Sequence, residues 1–377
     1  MSEPISSYII KIASRCNLDC DYCYEYNMGD NSWRSEPRII SEIVLGQALD
    51  RINKHAKNND LEQIHISLHG GEPLLVGYEY FKKIISLIKK KLSDYKIEIG
   101  TQSNAVLIDE SYLELFLKEQ IYFGISLDGP PEYNDQHRFY HNRKGSGKDV
   151  EAALSLLENF PYFSGILSVI DVEFNPVKVW NYLSQFNPRL IDFLLPHATW
   201  DKPPKGRKNI SDTVYADWLI KVFDCWFNSN KQDISIRTFE EIIEYSIGGS
   251  GSLETLGLAP VNLMVISTSG GYEAVDTLKS IKPGAHILGM NVNDHDIDDV
   301  LYHPKINFRQ IGLNALSNTC KECSLVDTCG GGYLPHRFSS ENEFDNPSVY
   351  CNDLIKLINH IHKSTENAIN HNGAHVK

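Results

Sequence analysis

The chain has 377 residues, 42% of them hydrophobic and 23% charged, the ordinary mixture for a protein with a sizeable core. Its formal net charge of −13 repels phosphate backbones and excludes nucleic acid as a partner. No apolar run approaches the ~18 residues of a membrane span, and MSEPISSYII lacks the start of a signal peptide, so no membrane partner and a cytoplasmic location are expected.

At roughly 100–200 residues per domain the length suggests two or three domains. Short apolar runs at 7–13, 63–68, 96–101, 121–127, 165–170 and 190–195 read as strands. Helical periodicity fills the gaps at 41–55, 78–92, 109–118, 147–159 and 176–186. Six β/α units in series predict an α/β fold with parallel strands and right-handed crossovers. Residues at the strand ends then matter most, because such sheets bind ligands at their carboxyl edge. The pattern breaks at DKPPKGRKNI (201–210), which reads as a linker. Helices are expected at 213–228 and 238–247. GGSGS (248–252) lacks the lysine of a phosphate loop and reads as flexible. VNLMVISTSGGYEAVDTL predicts a hairpin turning at Ser269-Gly270-Gly271, and a last helix at 352–370 precedes a polar tail.

Eight cysteines fall at 16, 20, 23, 225, 320, 323, 329 and 351. In a reducing compartment such grouping argues for metal or redox chemistry rather than disulfides. Cys225 stands apart among Trp218, Phe223, Trp226 and Phe227 and is expected in the core. His360, His362, His371 and His375 read as a solvated end. Cys16, Cys20 and Cys23 follow the first strand directly. Three thiolates cannot close a tetrahedral zinc site without a remote fourth ligand, such as a distant histidine. A [4Fe–4S] cluster can be held by three cysteines while its fourth iron stays open to a small molecule. Cys320, Cys323, Cys329 and Cys351 supply four thiolates, which suit either zinc or an iron–sulfur cluster.

RCNLDCDYCYEY, with Tyr22 before the last cysteine, resembles the signature of radical S-adenosylmethionine (SAM) enzymes. The resemblance implies a partial (β/α)6 barrel and a cluster that reduces SAM to give an adenosyl radical. His69-Gly70-Gly71-Glu72-Pro73 resembles that family's GGEP motif, which implies that Gly70, Gly71 and Glu72 bind the SAM amine. Ser103 and Asn104 after the third strand, and Ser126 after the fourth, match positions that face SAM or substrate in related enzymes. The second cysteine group resembles part of the SPASM extension of peptide-modifying members. A full SPASM extension has seven cysteines and two auxiliary clusters; here Tyr333 and Val275 stand where cysteines are expected. Two [4Fe–4S] clusters in total, one catalytic and one auxiliary, are therefore expected. Asp276 matches an aspartate that accepts a proton in anaerobic sulfatase maturases; alone it would read as a solvent-facing hairpin residue.

LLPHATWDKPP (194–204), YEAVDTLKS (272–280) and CGGGYLPHRFSSENEFDNPSVYCNDL (329–354) resemble a narrower branch, the maturases that form three-residue cyclophanes in ribosomally made peptides. This implies a precursor peptide and an external electron donor as partners, with no separate peptide-recognition domain ahead of the barrel. The expected parts are a barrel over 1–200, a helical linker over 201–258 and a SPASM-like domain over 259–377. The expected chemistry joins a side-chain β-carbon to an aromatic ring, with Asp276 as base. Two alternatives stand beside it. One is sulfatase maturation, which oxidises Cys or Ser to formylglycine, or another peptide modification by a radical SAM enzyme; the other is a metal-cluster-binding interaction module without turnover.

Overall fold

A computed structural model describes residues 3–157, 159–229, 231 and 233–373; His375 lies outside them. The principal strands are β1 (Ser7–Ala13), β2 (Gln63–Gly70), β3 (Lys96–Ser103), β4 (Ile121–Ser126), β5 (Phe163–Val169), β6 (Ile191–Leu194), β7 (Leu263–Ile266), β8 (Gly271–Glu273) and β9 (Ile287–Asn291). The principal helices are α1 (Glu42–Asn58), α2 (Tyr78–Lys91), α3 (Glu110–Glu119), α4 (Pro131–His137), α5 (Gly147–Leu156), α6 (Pro176–Ser184), α7 (Val214–Phe227), α8 (Arg237–Ser246) and a C-terminal helix, Cys351–Gly373. All six expected strands and all eight expected helices are present, within a few residues at their ends. Among the described residues α4, several single-turn helices and β9 were not expected, all too short to show a clear period. Two compact units result: residues 1–166 with 262–310, and residues 167–261 with 311–377.

In the first unit β1 is central. It pairs in parallel with β2, Lys11 opposite His69, and with β7, Ser7 opposite Leu263. The order there is β4-β3-β2-β1-β7-β8-β9, with β8 and β9 added antiparallel. Helix α1 starts where Ser41 Oγ accepts from Val44 N, and it buries Leu45, Leu49, Ile52 and Ala56 at helical spacing. Asp109 caps α3 in the same way. The hairpin turns where expected, with Gly270 at φ +85°.

In the second unit α7 buries Tyr215, Trp218, Leu219, Val222, Phe223 and Trp226. Cys225 flanks that stripe and is only half-buried, so the expectation of a core position is corrected. The 201–210 stretch is irregular but tied down. Arg207 pairs with Asp353, and its Nη1 donates to Val349 O at 2.7 Å. GGSGS is likewise held: the Glu241 carboxylate accepts from Ser252 N and Leu253 N at 3.1 Å. Nor is the C-terminal helix free along its length, since His360 Nε2 lies 2.7 Å from Asp224 Oδ1. Among the described residues no helix is long and apolar enough to cross a membrane.

Candidate functional site

The first cysteine group lies in the loop leaving β1, and the loop leaving β2 is laced to it. Gly71 N donates to Ala13 O, and Glu72 N to Arg15 O, both at 2.9 Å. A Cβ on Gly70 would lie 1.9 Å from Ala13 O, and one on Gly71 2.4 Å from Arg15 O. The glycines are thus demanded by the chain itself, which leaves no room for a side chain at either position.

Glu72 is fully buried and ties the strand ends together. Its Oε1 accepts from Leu74 N at 3.0 Å and Ser103 Oγ at 2.8 Å, and its Oε2 accepts from Asn104 N at 2.8 Å. Burial nevertheless raises its pKa, the three donors opposing the shift. Asn104 Nδ2 reaches Asn17 Oδ1 at 2.8 Å and Cys16 Sγ at 3.6 Å, and Leu18 N lies 3.4 Å from that sulfur. Sulfur that accepts two N–H donors is prepared to be a thiolate. Burial pushes the Cys16 thiol up to about 12, with the Glu72 charge adding to it and Leu18 N and Arg138 only partly offsetting it. Burial and then Cys20 raise Cys23, and burial raises Cys20. One buried and two half-buried thiols, with Cys20 opposing the ionisation of Cys16 and Cys23, are a donor set that suits an iron–sulfur cluster.

Tyr22 OH donates to Asp128 Oδ2 at 2.6 Å, and Arg138 Nη1 donates to Tyr22 OH at 2.9 Å. Gln102 Nε2 donates to Ser126 Oγ at 3.0 Å at the ends of β3 and β4. Arg138 was not anticipated: it follows the short α4, and nothing in its local sequence marks it. It places a buried guanidinium beside the cysteine loop.

A second assembly lies behind the first. Lys11, in the middle of the central strand and 4% exposed, pairs with Glu25, with Glu273 at 3.0 Å and with Asp276 at 3.4 Å. Lys279 Nζ donates to Glu25 Oε2 at 2.6 Å and lies 3.8 Å from Glu273. Asp276 is buried, not solvent-facing, and Tyr24 OH donates to its Oδ2 at 3.0 Å. Burial alone would raise its pKa, but Lys11, His69, Lys279 and the Tyr24 hydroxyl together outweigh that and hold the carboxyl well below the usual range. A signal for this assembly did exist: SYIIKIA carries one lysine in an otherwise apolar strand.

In the second unit Cys320 is buried and Cys323, Cys329 and Cys351 are half-buried. Burial pushes Cys329 up to about 12, with Cys351, Cys320 and Cys323 adding to it. The four thiols therefore share one locality, though among the described residues no three or more His, Cys, Asp or Glu side chains are set to hold a single metal ion. Gly330, at φ +58°, lets the loop pass Gly257, whose carbonyl oxygen would lie 1.6 Å from a Cβ. Trp200 N donates to Phe338 O at 3.0 Å, Trp200 Nε1 to Pro347 O at 2.8 Å and Tyr350 OH to Pro196 O at 2.8 Å. The 194–204 and 329–354 segments thus pack on each other around this group.

Residues 10–173 match the model of the Radical SAM superfamily. A cysteine-type anaerobic sulfatase-maturating enzyme of Clostridium perfringens is 26% identical over 92% of this chain and 94% of its own. The serine-type enzyme of Bacteroides thetaiotaomicron is 23% identical over 96% and 90%. Among solved structures, native anSMEcpe with bound AdoMet and the Cp18Cys peptide superposes with a TM-score of 0.82, at 25% identity over 97% of this chain and 99% of that one. Streptococcus suis SuiB bound to precursor peptide SuiA shares the fold, at TM-score 0.61 and 18% identity over 93% and 76%. These likenesses overturn the expectation of cyclophane formation in favour of the alternative, sulfatase maturation. Of the three segments that suggested it, 194–204 and 329–354 pack on each other, and 272–280 carries Glu273, Asp276 and Lys279 of the buried ion-pair network.

Proposed function

The chain belongs to the radical SAM superfamily and is an enzyme of that kind acting on a peptide or protein, and we propose that it oxidises a cysteine or serine side chain of a target protein to formylglycine. The observation that carries this reading is the likeness to sulfatase-maturating enzymes over nearly the whole chain, joined to a buried, ionised Asp276. SAM and a [4Fe–4S] cluster are its cofactors, the cluster on Cys16, Cys20 and Cys23. When bound they supply a carbon-centred radical that removes one hydrogen atom from the substrate.

Oxidation of –CH2–XH to –CH=X, where X is sulfur or oxygen, then needs the loss of one proton and one electron; where X is sulfur, water hydrolyses the thioaldehyde to the aldehyde and releases H2S. Asp276 takes the proton, with Tyr24 fixing its Oδ2. Cys320, Cys323, Cys329 and Cys351 would hold a second [4Fe–4S] cluster, which would supply one-electron redox chemistry for the electron released, with an external donor and acceptor completing the cycle. Arg138 serves the SAM carboxylate, while Tyr22 and Asp128 hold its guanidinium in place. Gly70 and Gly71 offer their carbonyls to the SAM amine, and Ser103, Asn104 and Ser126 line its approach.

Under anaerobic conditions with SAM, a reductant and a peptide bearing Cys or Ser, the protein should yield a peptide aldehyde trapped by a hydrazine reagent. Peptide recovered without aldehyde while 5′-deoxyadenosine accumulates would set the assignment aside.

Glu72 supplies a narrower expectation. A carboxylate has about four lone-pair positions, of which three are already filled here. The fourth suits the SAM ammonium. Glu72→Gln should weaken SAM binding by about tenfold or more, the scale of a lost charge-assisted hydrogen bond, while the iron content stays the same. Wild-type affinity in calorimetric titration would remove Glu72 from the site.

A further inference from the structure

Asp276 is well placed to receive a proton but poorly suited to keep it. The lysine that holds it ionised also lowers its proton affinity, and its surroundings are buried. Every turnover would deliver one proton there, so the site needs an outlet.

The ion pairs around Asp276 are unbalanced. Three buried carboxylates, Glu25, Glu273 and Asp276, face two ammoniums, Lys11 and Lys279. The imidazoles at the edges do not restore the balance, because burial lowers the pKa of both His69 and His286, the latter to about 4. One carboxylate is therefore in excess, and Glu273 is the least well satisfied of the three. Its Oε2 lies 3.0 Å from Lys11 Nζ without an aligned hydrogen bond, and its Oε1 is 3.8 Å from Lys279 and 3.7 Å from His286. Geometry adds a direction: Lys11 and Glu273 line a small, partly open pocket with room for about one water, which Glu25, Gly70, Gly71 and Trp33 also border. Asp276 is not among its lining residues.

We propose that Glu273 is the proton outlet of the site, taking the proton from Asp276 through the Lys11 ammonium and releasing it to water in this pocket. Lys11 bridges the two, 3.4 Å from Asp276 and 3.0 Å from Glu273. As Lys11 passes one proton to Glu273 it takes one from Asp276, so the ammonium is restored. The net change is a protonated Asp276 and an ionised Glu273 becoming an ionised Asp276 and a protonated Glu273; no electron moves. Burial raises the Glu273 pKa while that of Asp276 is lowered, so the transfer runs downhill. His286 is a poor rival acceptor, its Asp30 neighbour failing to offset burial and Lys279.

The proposal rests on Asp276 being the base, and two variants separate the two claims. Glu273→Gln leaves Glu25 and Asp276 facing Lys11 and Lys279, a balanced set, so folding should be retained. With excess peptide its first turnover should proceed at the wild-type rate and later turnovers at least about tenfold slower. Asp276→Asn should block the first turnover as well. Infrared titration of the reconstituted protein without peptide gives a second readout. A buried protonated carboxyl band should grow in as pH falls, vanish in Glu273→Gln, and move to lower pH in Asp276→Asn, where one repelling charge is gone. An unchanged steady state in Glu273→Gln, or a band that survives in it, overturns the outlet while leaving the base intact. Full product formation by Asp276→Asn overturns the base itself.

Discussion

Replacing Cys16, Cys20 and Cys23 together by alanine should abolish SAM cleavage and remove about half of the iron. The wild-type protein should carry about eight irons after anaerobic reconstitution, four on each thiolate group. The two groups belong to different compact units of the chain, so loss of one should leave the other loaded. In the first group Cys16 Sγ accepts from Leu18 N and Asn104 Nδ2. Its removal also takes away burial penalties on three thiols, so the variant should fold. Iron analysis and 5′-deoxyadenosine chromatography read the outcome. Zinc recovered at the remaining group would sink the electron-acceptor role of Cys320, Cys323, Cys329 and Cys351, and twelve irons would show a third cluster.

Asp276→Asn should leave 5′-deoxyadenosine formation in place while aldehyde falls by about a hundredfold or more, the scale of a positioned acid–base group. Hydrogen-atom removal needs no protein base, but loss of the second hydrogen as a proton does. The substitution is nearly isosteric, and it leaves two carboxylates against two lysines, so the buried network does not collapse. Deuterium on the substrate β-carbon should still reach 5′-deoxyadenosine, which isolates the defect to the second step. The pH profile adds a sign. Because the Asp276 carboxyl lies well below the usual range, its own protonation cannot limit the rate near neutral pH. Any loss of steady-state rate as pH falls should instead follow Glu273, whose pKa is raised. Simultaneous loss of both products in Asp276→Asn would point to a packing role.

What was legible in the sequence and what was not divides along the distance between partners. Local pattern determined the six β/α units, the cysteine loop after β1, the glycines at 70 and 71 and the hairpin turn, because period, spacing and turn chemistry are properties of neighbouring residues. The two cysteine groups were equally plain, since three members of each come in a short run. Substrate chemistry was not: two of the segments that suggested a cyclophane pack on each other, Trp200 with Phe338 and Pro347, which no local pattern reveals. Cys225 was misplaced for a related reason, as a half-turn along α7 separates the buried stripe from its flank. Arg138 and the network of Lys11, Glu25, Glu273, Asp276 and Lys279 were decided by tertiary structure alone. Lys11 and Glu273 lie far apart in the chain and meet only because β7 docks beside β1 and brings β8 with it. A charge buried by such pairing is stable only when its partners arrive with it, so its role becomes visible only after the strands are in place.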